Sequence, residues 1–270
     1  MILKICEQNY SLQWNGIYYF ALTEYPHIKD WELDKIAKFI AYEKLNDRDT
    51  KIECDNTDIL TKVNEYIANS DVNFPFTPLN RQEACIYNEN GKCVTSDYLS
   101  HTCTLETAIK IFESGKLLSA VRAFERTDEQ LVNDKRNAAG DPKDYFHYIM
   151  FNWSNTSSGY KLAMERLLER FPNEYDLNEG FVPSISFHFK YEDIIRNEKY
   201  VFDGYHAAKI RDELSLADNL YACIIPTTSK KGFEEIIPEN IKSRIYYLDY
   251  TQEGIIKWTE KVYQFVSGLS

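Results

Sequence analysis

The chain has 270 residues, 44% of them hydrophobic, and a formal charge of −11. The apolar content is enough to bury a core, so the chain need not be disordered; the acidic balance disfavours non-specific nucleic-acid binding, which needs a basic footprint. No apolar run reaches the roughly 20 residues of a membrane helix, and the N-terminus Met-Ile-Leu-Lys-Ile-Cys-Glu-Gln lacks the basic-then-apolar layout of a signal peptide, so a cytoplasmic protein with no membrane partner is expected.

In chain order, Trp14 to Leu22 reads as a turn entering a strand. Asp30 to Leu45 reads as a helix, capped by Asp30, with Trp31, Leu33, Ile36, Phe39, Ile40 and Tyr42 on an apolar stripe. Thr50 to Cys54 is a short strand, and Thr57 to Ala68 a second helix. Pro75 and Pro78 then break the pattern, which places a domain boundary near residues 74–81. Residues 1–80 are thus a small N-terminal α/β module, and residues 81–270 a second, larger domain.

Ala84 to Thr95 is a hairpin with Asn90-Gly91 in its turn, and Tyr98 to Cys103 is the next strand. Asp128 to Asn137 is expected to be helical, Tyr145 to Trp153 an aromatic-rich buried strand, and Gly159 to Phe171 a helix. Ser184 to Phe189, Leu220 to Ile225 and Arg244 to Leu248 read as strands, and Ile255 to Val266 as a closing helix. Short strands interspersed with helices suggest an α+β fold.

The six cysteines (Cys6, Cys54, Cys85, Cys93, Cys103 and Cys223) include no Cys-x-x-Cys pair. That argues against a structural zinc site and fits reduced thiols; no metal is expected.

The segment from Ser100 to Leu118 is the most informative part of the chain. It reads as a strand ending in His101-Thr102, then a helix, then Gly115 as a left-handed stop and Leu117 beyond it. Thr104 is placed to cap the helix, and Leu105, Ala108, Ile109 and Phe112 fall at helical spacing. The segment resembles the first motif of the ADP-ribosyltransferase superfamily, in which a strand ends in His-Gly-Thr or His-Gly-Ser and a helix and a Gly-Leu pair follow at this distance. Here Thr102 replaces the usual Gly and Cys103 the usual Thr or Ser. That first motif is the one seen in the poly-ADP-ribose polymerase and RNA 2′-phosphotransferase branches; two later segments extend the resemblance, the first of them towards the bacterial DNA-modifying ADP-ribosyltransferase toxins. Gly140 to Ser154 is similar to the region where an Asp-Tyr pair, here Asp144-Tyr145, leads into a strand. Lys209 to Leu216, read as one strand, puts Glu213 and Ser215 on one face, with Leu214 and Leu216 behind.

The resemblance implies a split antiparallel β-sheet core with flanking helices over residues 81–270, and NAD as substrate without a metal. It implies Glu213 and Arg136 as catalytic groups, and His101, Thr102, Tyr145, Phe151 and Tyr160 as the NAD-binding set. The chemistry suits those residue types. Nicotinamide departs from a cationic ring, so a carboxylate that favours positive charge on the ribose helps more than an acid. Aromatic faces stack on nicotinamide, and a guanidinium pairs with pyrophosphate. The chain has no Gly-x-Gly-x-x-Gly for a Rossmann mode of binding.

The acceptor is expected to be a macromolecule, nucleic acid ahead of protein because of the Arg136–Tyr145 segment. The toxin-like relatives imply a toxin or phage-defence role, with an antitoxin as a further partner. Three alternatives stand beside this reading: an NAD glycohydrolase on the same fold, a non-catalytic binding module, and a hydrolase built on Cys103.

Overall fold

The computed structural model of the chain describes residues 1–7, 11–14, 16–72, 76, 78, 86–87, 93–134, 142–204 and 206–269. The chain divides into two compact units. The first is Met1–Leu79 together with Arg126–Phe146 and Phe202–His206; the second is Asn80–Glu125, His147–Val201 and Ala207–Ser270. The first eighty residues therefore share their unit with two later segments.

The first unit is built on β1 (Ile2–Cys6), β2 (Leu12–Trp14), β3 (Ile17–Ala21), α1 (Asp30–Leu45), β4 (Lys51–Cys54) and α2 (Thr57–Asn69). Its sheet runs β2-β3-β1-β4, with β1 parallel to both β3 and β4. Leu3 and Ile5 alternate with half-exposed neighbours on β1 and meet Tyr18 and Phe20, closed over by Ile36, Phe39 and Ile40 of α1 and by Ile59 and Val63 of α2. The start of α1 is fixed by Glu32 rather than by the expected Asp30. The buried Glu32 carboxylate accepts from the Thr23 N–H (2.8 Å), the Thr23 hydroxyl (3.0 Å) and the Lys29 N–H (2.9 Å), so a group that would be costly to bury alone is fully partnered. Asn56 caps α2, its Oδ1 accepting from Asp58 and Ile59.

The second unit opens with the paired segments β5 (Ile86–Tyr87) and β6 (Cys93–Val94); the expected Asn90-Gly91 turn lies outside the described residues. Then follow β7 (Tyr98–Cys103), α3 (Leu105–Ser114), β8 (Lys116–Leu118) and α4 (Ala120–Phe124), with α5 (Asp128–Leu131) in the segment that belongs to the first unit. Next come β9 (Tyr148–Trp153), α6 (Ser158–Leu168), α7 (Glu174–Leu177), β10 (Ile185–Lys190), α8 (Tyr191–Ile195), β11 (Tyr200–Val201) and β12 (Ala208–Arg211). The chain closes with β13 (Glu213–Ser215), α9 (Leu216–Asn219), β14 (Ala222–Pro226), β15 (Ile245–Leu248) and α10 (Gly254–Ser267).

Seven of these strands form one sheet in the order β11-β12-β9-β7-β10-β14-β15. Every pairing in it is antiparallel except β14 with β15. The architecture is mixed α/β, a large mixed sheet with flanking helices. Helices α6 and α10 cover one face through Tyr160, Met164, Trp258 and Val262 over Ala222 and Ile224. On the other face Phe112 of α3 meets Phe187 at 5.3 Å between ring centres.

Three local readings change. The helix expected over Asp128–Asn137 is a single turn ending at Leu131, and residues 135–141 lie outside the described set. Lys143–His147 is a 3-10 turn, so the aromatic strand starts at Tyr148. The strand expected over Lys209–Leu216 breaks at Asp212, which takes the left-handed conformation at φ 64°. A non-glycine residue there turns the chain out of one ladder and into another, with direct consequences for Glu213.

Candidate functional site

The His101 strand, β7, lies at the centre of the sheet, between β9 and β10. Strand alternation puts Leu99, His101 and Cys103 on one face and Ser100 and Thr102 on the other. Its end is built as the sequence predicts. The Thr104 hydroxyl accepts from the Thr107 N–H at 3.3 Å, and Gly115 closes α3 at φ 66°. The helix buries Ala108, Ile111 and Phe112, whereas Leu105 is exposed.

His101 stands opposite Phe187 in the ladder, and its ring meets the edge of Phe151 at 6.3 Å between centres. Phe151 is buried and packs on Phe189. Desolvation by these surroundings lowers the His101 pKa to about 4, so the imidazole is neutral at pH 7. Its Nδ1 lies 3.3 Å from the Met150 carbonyl oxygen. A carbonyl only accepts, so Nδ1 carries the proton and Nε2 presents a lone pair.

Thr102 and Tyr160 fall on the opposite face of the sheet. The Thr102 side chain packs on Gly159 at the start of α6, so closely that a Cβ there would sit 2.6 Å from the Thr102 Oγ1. Tyr160 is 4% exposed, and its hydroxyl hydrogen-bonds the Ser186 Oγ at 2.9 Å. The chain of bonds continues from Ser186 to His188 Nε2 (2.9 Å) and from His188 Nδ1 to Ser154 Oγ (3.0 Å), all of it buried. Burial raises the Tyr160 pKa to about 12 and lowers that of His188 to about 3, so both are neutral members of a core network. The sheet therefore brings His101 and Phe151 together and keeps Thr102 and Tyr160 behind them.

Tyr145 belongs to the first unit. It is buried, with its hydroxyl 3.5 Å from Glu43 Oε1 and the Arg48 guanidinium 5.7 Å from its ring centre. Burial first, then Asp203 and Glu43, pushes its hydroxyl pKa up. Arg48 holds Glu43 with two hydrogen bonds, at 2.6 and 2.9 Å, and Asp144 with a third at 2.6 Å. This fixes the Asp144-Tyr145 pair to the first unit. Arg136 lies outside the described residues.

Glu213 stands on a separate two-stranded ladder. The turn at Asp212 takes it off β12 and pairs it with Leu118 of β8. Its Oε1 accepts from Lys116 Nζ at 3.0 Å and its Oε2 from Arg122 Nη2 at 3.2 Å. The bonded Lys116 ammonium holds the carboxyl below its ordinary pKa, with Arg122 and Lys199 adding to it, so Glu213 is ionised at pH 7. In the sequence Arg122 opens a stretch with further basic residues, Arg126, Lys135 and Arg136; Lys116 carries no signal beyond its place after Gly115. Its role appears only when β8 and β13 pair.

Cys103 is buried, and desolvation raises its pKa to about 12, which leaves no thiolate for nucleophilic attack. Among the described residues no group of three or more His, Cys, Asp or Glu side chains is placed to hold a metal, and no helix is long and apolar enough to cross a membrane. No protein-family model, curated protein or solved structure matches the chain.

Proposed function

We propose that the chain is an NAD-dependent ADP-ribosyltransferase, acting on a macromolecular acceptor and on nucleic acid ahead of protein. The observation that carries this reading is the state of His101. A neutral imidazole with Nδ1 spent on Met150 offers Nε2 as an acceptor for a hydroxyl donor, such as the adenine-side ribose, with the Phe151 ring at its side. The ionised Glu213 supplies the negative charge the reaction requires. As the bond between nicotinamide nitrogen and ribose C1 breaks, the electron pair leaves with nicotinamide. The ribose then gains oxocarbenium character, which a carboxylate stabilises. Acceptor attack at C1 completes the transfer, and its proton passes to the carboxylate or to water.

A second reading, a nucleotide-binding module without transfer, is favoured by one observation: Lys116 and Arg122 occupy the Glu213 carboxylate. Label transfer separates the two. The purified protein and its Glu213→Gln variant are incubated with a cell lysate and NAD labelled in the adenylate phosphate. Nuclease or protease digestion of the product follows. Label lost in Glu213→Gln supports the transferase, and the digestion that releases it names the acceptor. NAD consumed without label points to a glycohydrolase. NAD bound by wild type but left intact by both proteins supports the binding module.

A further inference from the structure

The cations around Glu213 are more numerous than one carboxylate needs. Lys116 from β8 and Arg122 from α4 each bond a different oxygen, and Lys199 adds a third positive charge within electrostatic range. Arg211 and Asp212 face each other at 3.9 Å and offset one another. The cluster is thus positive in a chain whose formal charge is −11. Arg122 engages Glu213 through Nη2 alone, leaving the rest of its planar fork of donors unused by this carboxylate. Ser119 lies one residue beyond Leu118, the ladder partner of Glu213. Its hydroxyl is buried and has no hydrogen-bond partner among the described residues, although its N–H donates to the Asp212 carbonyl at 2.7 Å.

We propose that Lys116 and Arg122 form a binding site for a phosphoryl group, and that the Glu213 carboxylate fills this site as an internal counter-ion until the ligand arrives. A phosphoryl group has three oxygens where a carboxylate has two. It engages the guanidinium bidentately and the ammonium at once. Under the transferase reading, which this consequence alone rests on, arrival of the phosphate frees Glu213 to act on the ribose.

The test is calorimetric titration with inorganic pyrophosphate at low ionic strength, with no NAD present. Removing the internal counter-ion in Glu213→Gln is expected to tighten pyrophosphate binding at least about tenfold. The Lys116→Gln/Arg122→Gln double variant is expected to lose it. Arg122→Lys, which keeps the charge without the fork, is expected to fall between wild type and the double variant. Competition by ADP would assign the site to a nucleotide phosphate, and competition by an oligothymidylate to a nucleic-acid backbone. A Glu213→Gln protein that binds no more tightly than wild type overturns the proposal, as does a folded double variant that binds as wild type does. The readout is binding alone, so its failure leaves the transferase reading standing, and a failed label transfer leaves the phosphoryl site standing.

Discussion

Acid should weaken this protein well before its carboxylates titrate, through His188. The imidazole is 1% exposed, with Ser154 on one nitrogen and Ser186 on the other. Burial lowers its pKa from 6.5 to about 3. Between those values the unfolded chain holds the proton and the folded chain does not, so stability falls as pH drops through this window. Integrated from pH 7 to pH 5, the linkage costs about 2 kcal/mol for His188. His101, lowered to about 4, costs a similar amount over the same range. Together these are a large share of the roughly 5–15 kcal/mol that holds a domain folded. Urea unfolding across pH 5 to 7 measures the effect. His188→Gln keeps hydrogen-bonding capacity without a titrating ring, and should remove about half of the pH dependence. If His188→Gln folds and loses stability with pH as steeply as wild type, the assignment of a buried neutral His188 is wrong.

Three more expectations follow from particular contacts. Gly159→Ala places a methyl 2.6 Å from Thr102 Oγ1 and should cost about 1–3 kcal/mol in chemical denaturation, partly recovered in the Gly159→Ala/Thr102→Ala pair. Arg48→Met strands the fully buried Glu43 carboxylate and should cost about 3 kcal/mol; adding Glu43→Gln should return part of it, and hydrogen exchange should rise across residues 142–146. Iodoacetamide followed by mass spectrometry should modify the half-buried Cys6 and Cys54 in the native protein long before the buried Cys103 and Cys223; early labelling of Cys103 would contradict its placement in the sheet.

The sequence by itself determined the features that rest on neighbours along the chain. Thr104 caps α3 and Gly115 ends it because both effects are local, a side chain reaching a nearby N–H and a residue without a Cβ entering the left-handed region. The periodicity likewise marks α1, α2, α10 and most strands. The tertiary structure decided what shares a face and what shares a ladder. His101 lies next to Phe151 because β7 and β9 pair, a contact across 50 residues that no spacing encodes. Tyr160 has the aromatic character of a stacking residue, but α6 packs on the other side of the sheet and turns its hydroxyl to Ser186. Glu213 follows Arg211 by two residues, yet one left-handed residue, Asp212, sends it to a different ladder and into the grip of Lys116 and Arg122. Local pattern sets each element, while pairing and packing between distant segments set which side chains meet, because the free energy of those contacts exists only once the chain has folded.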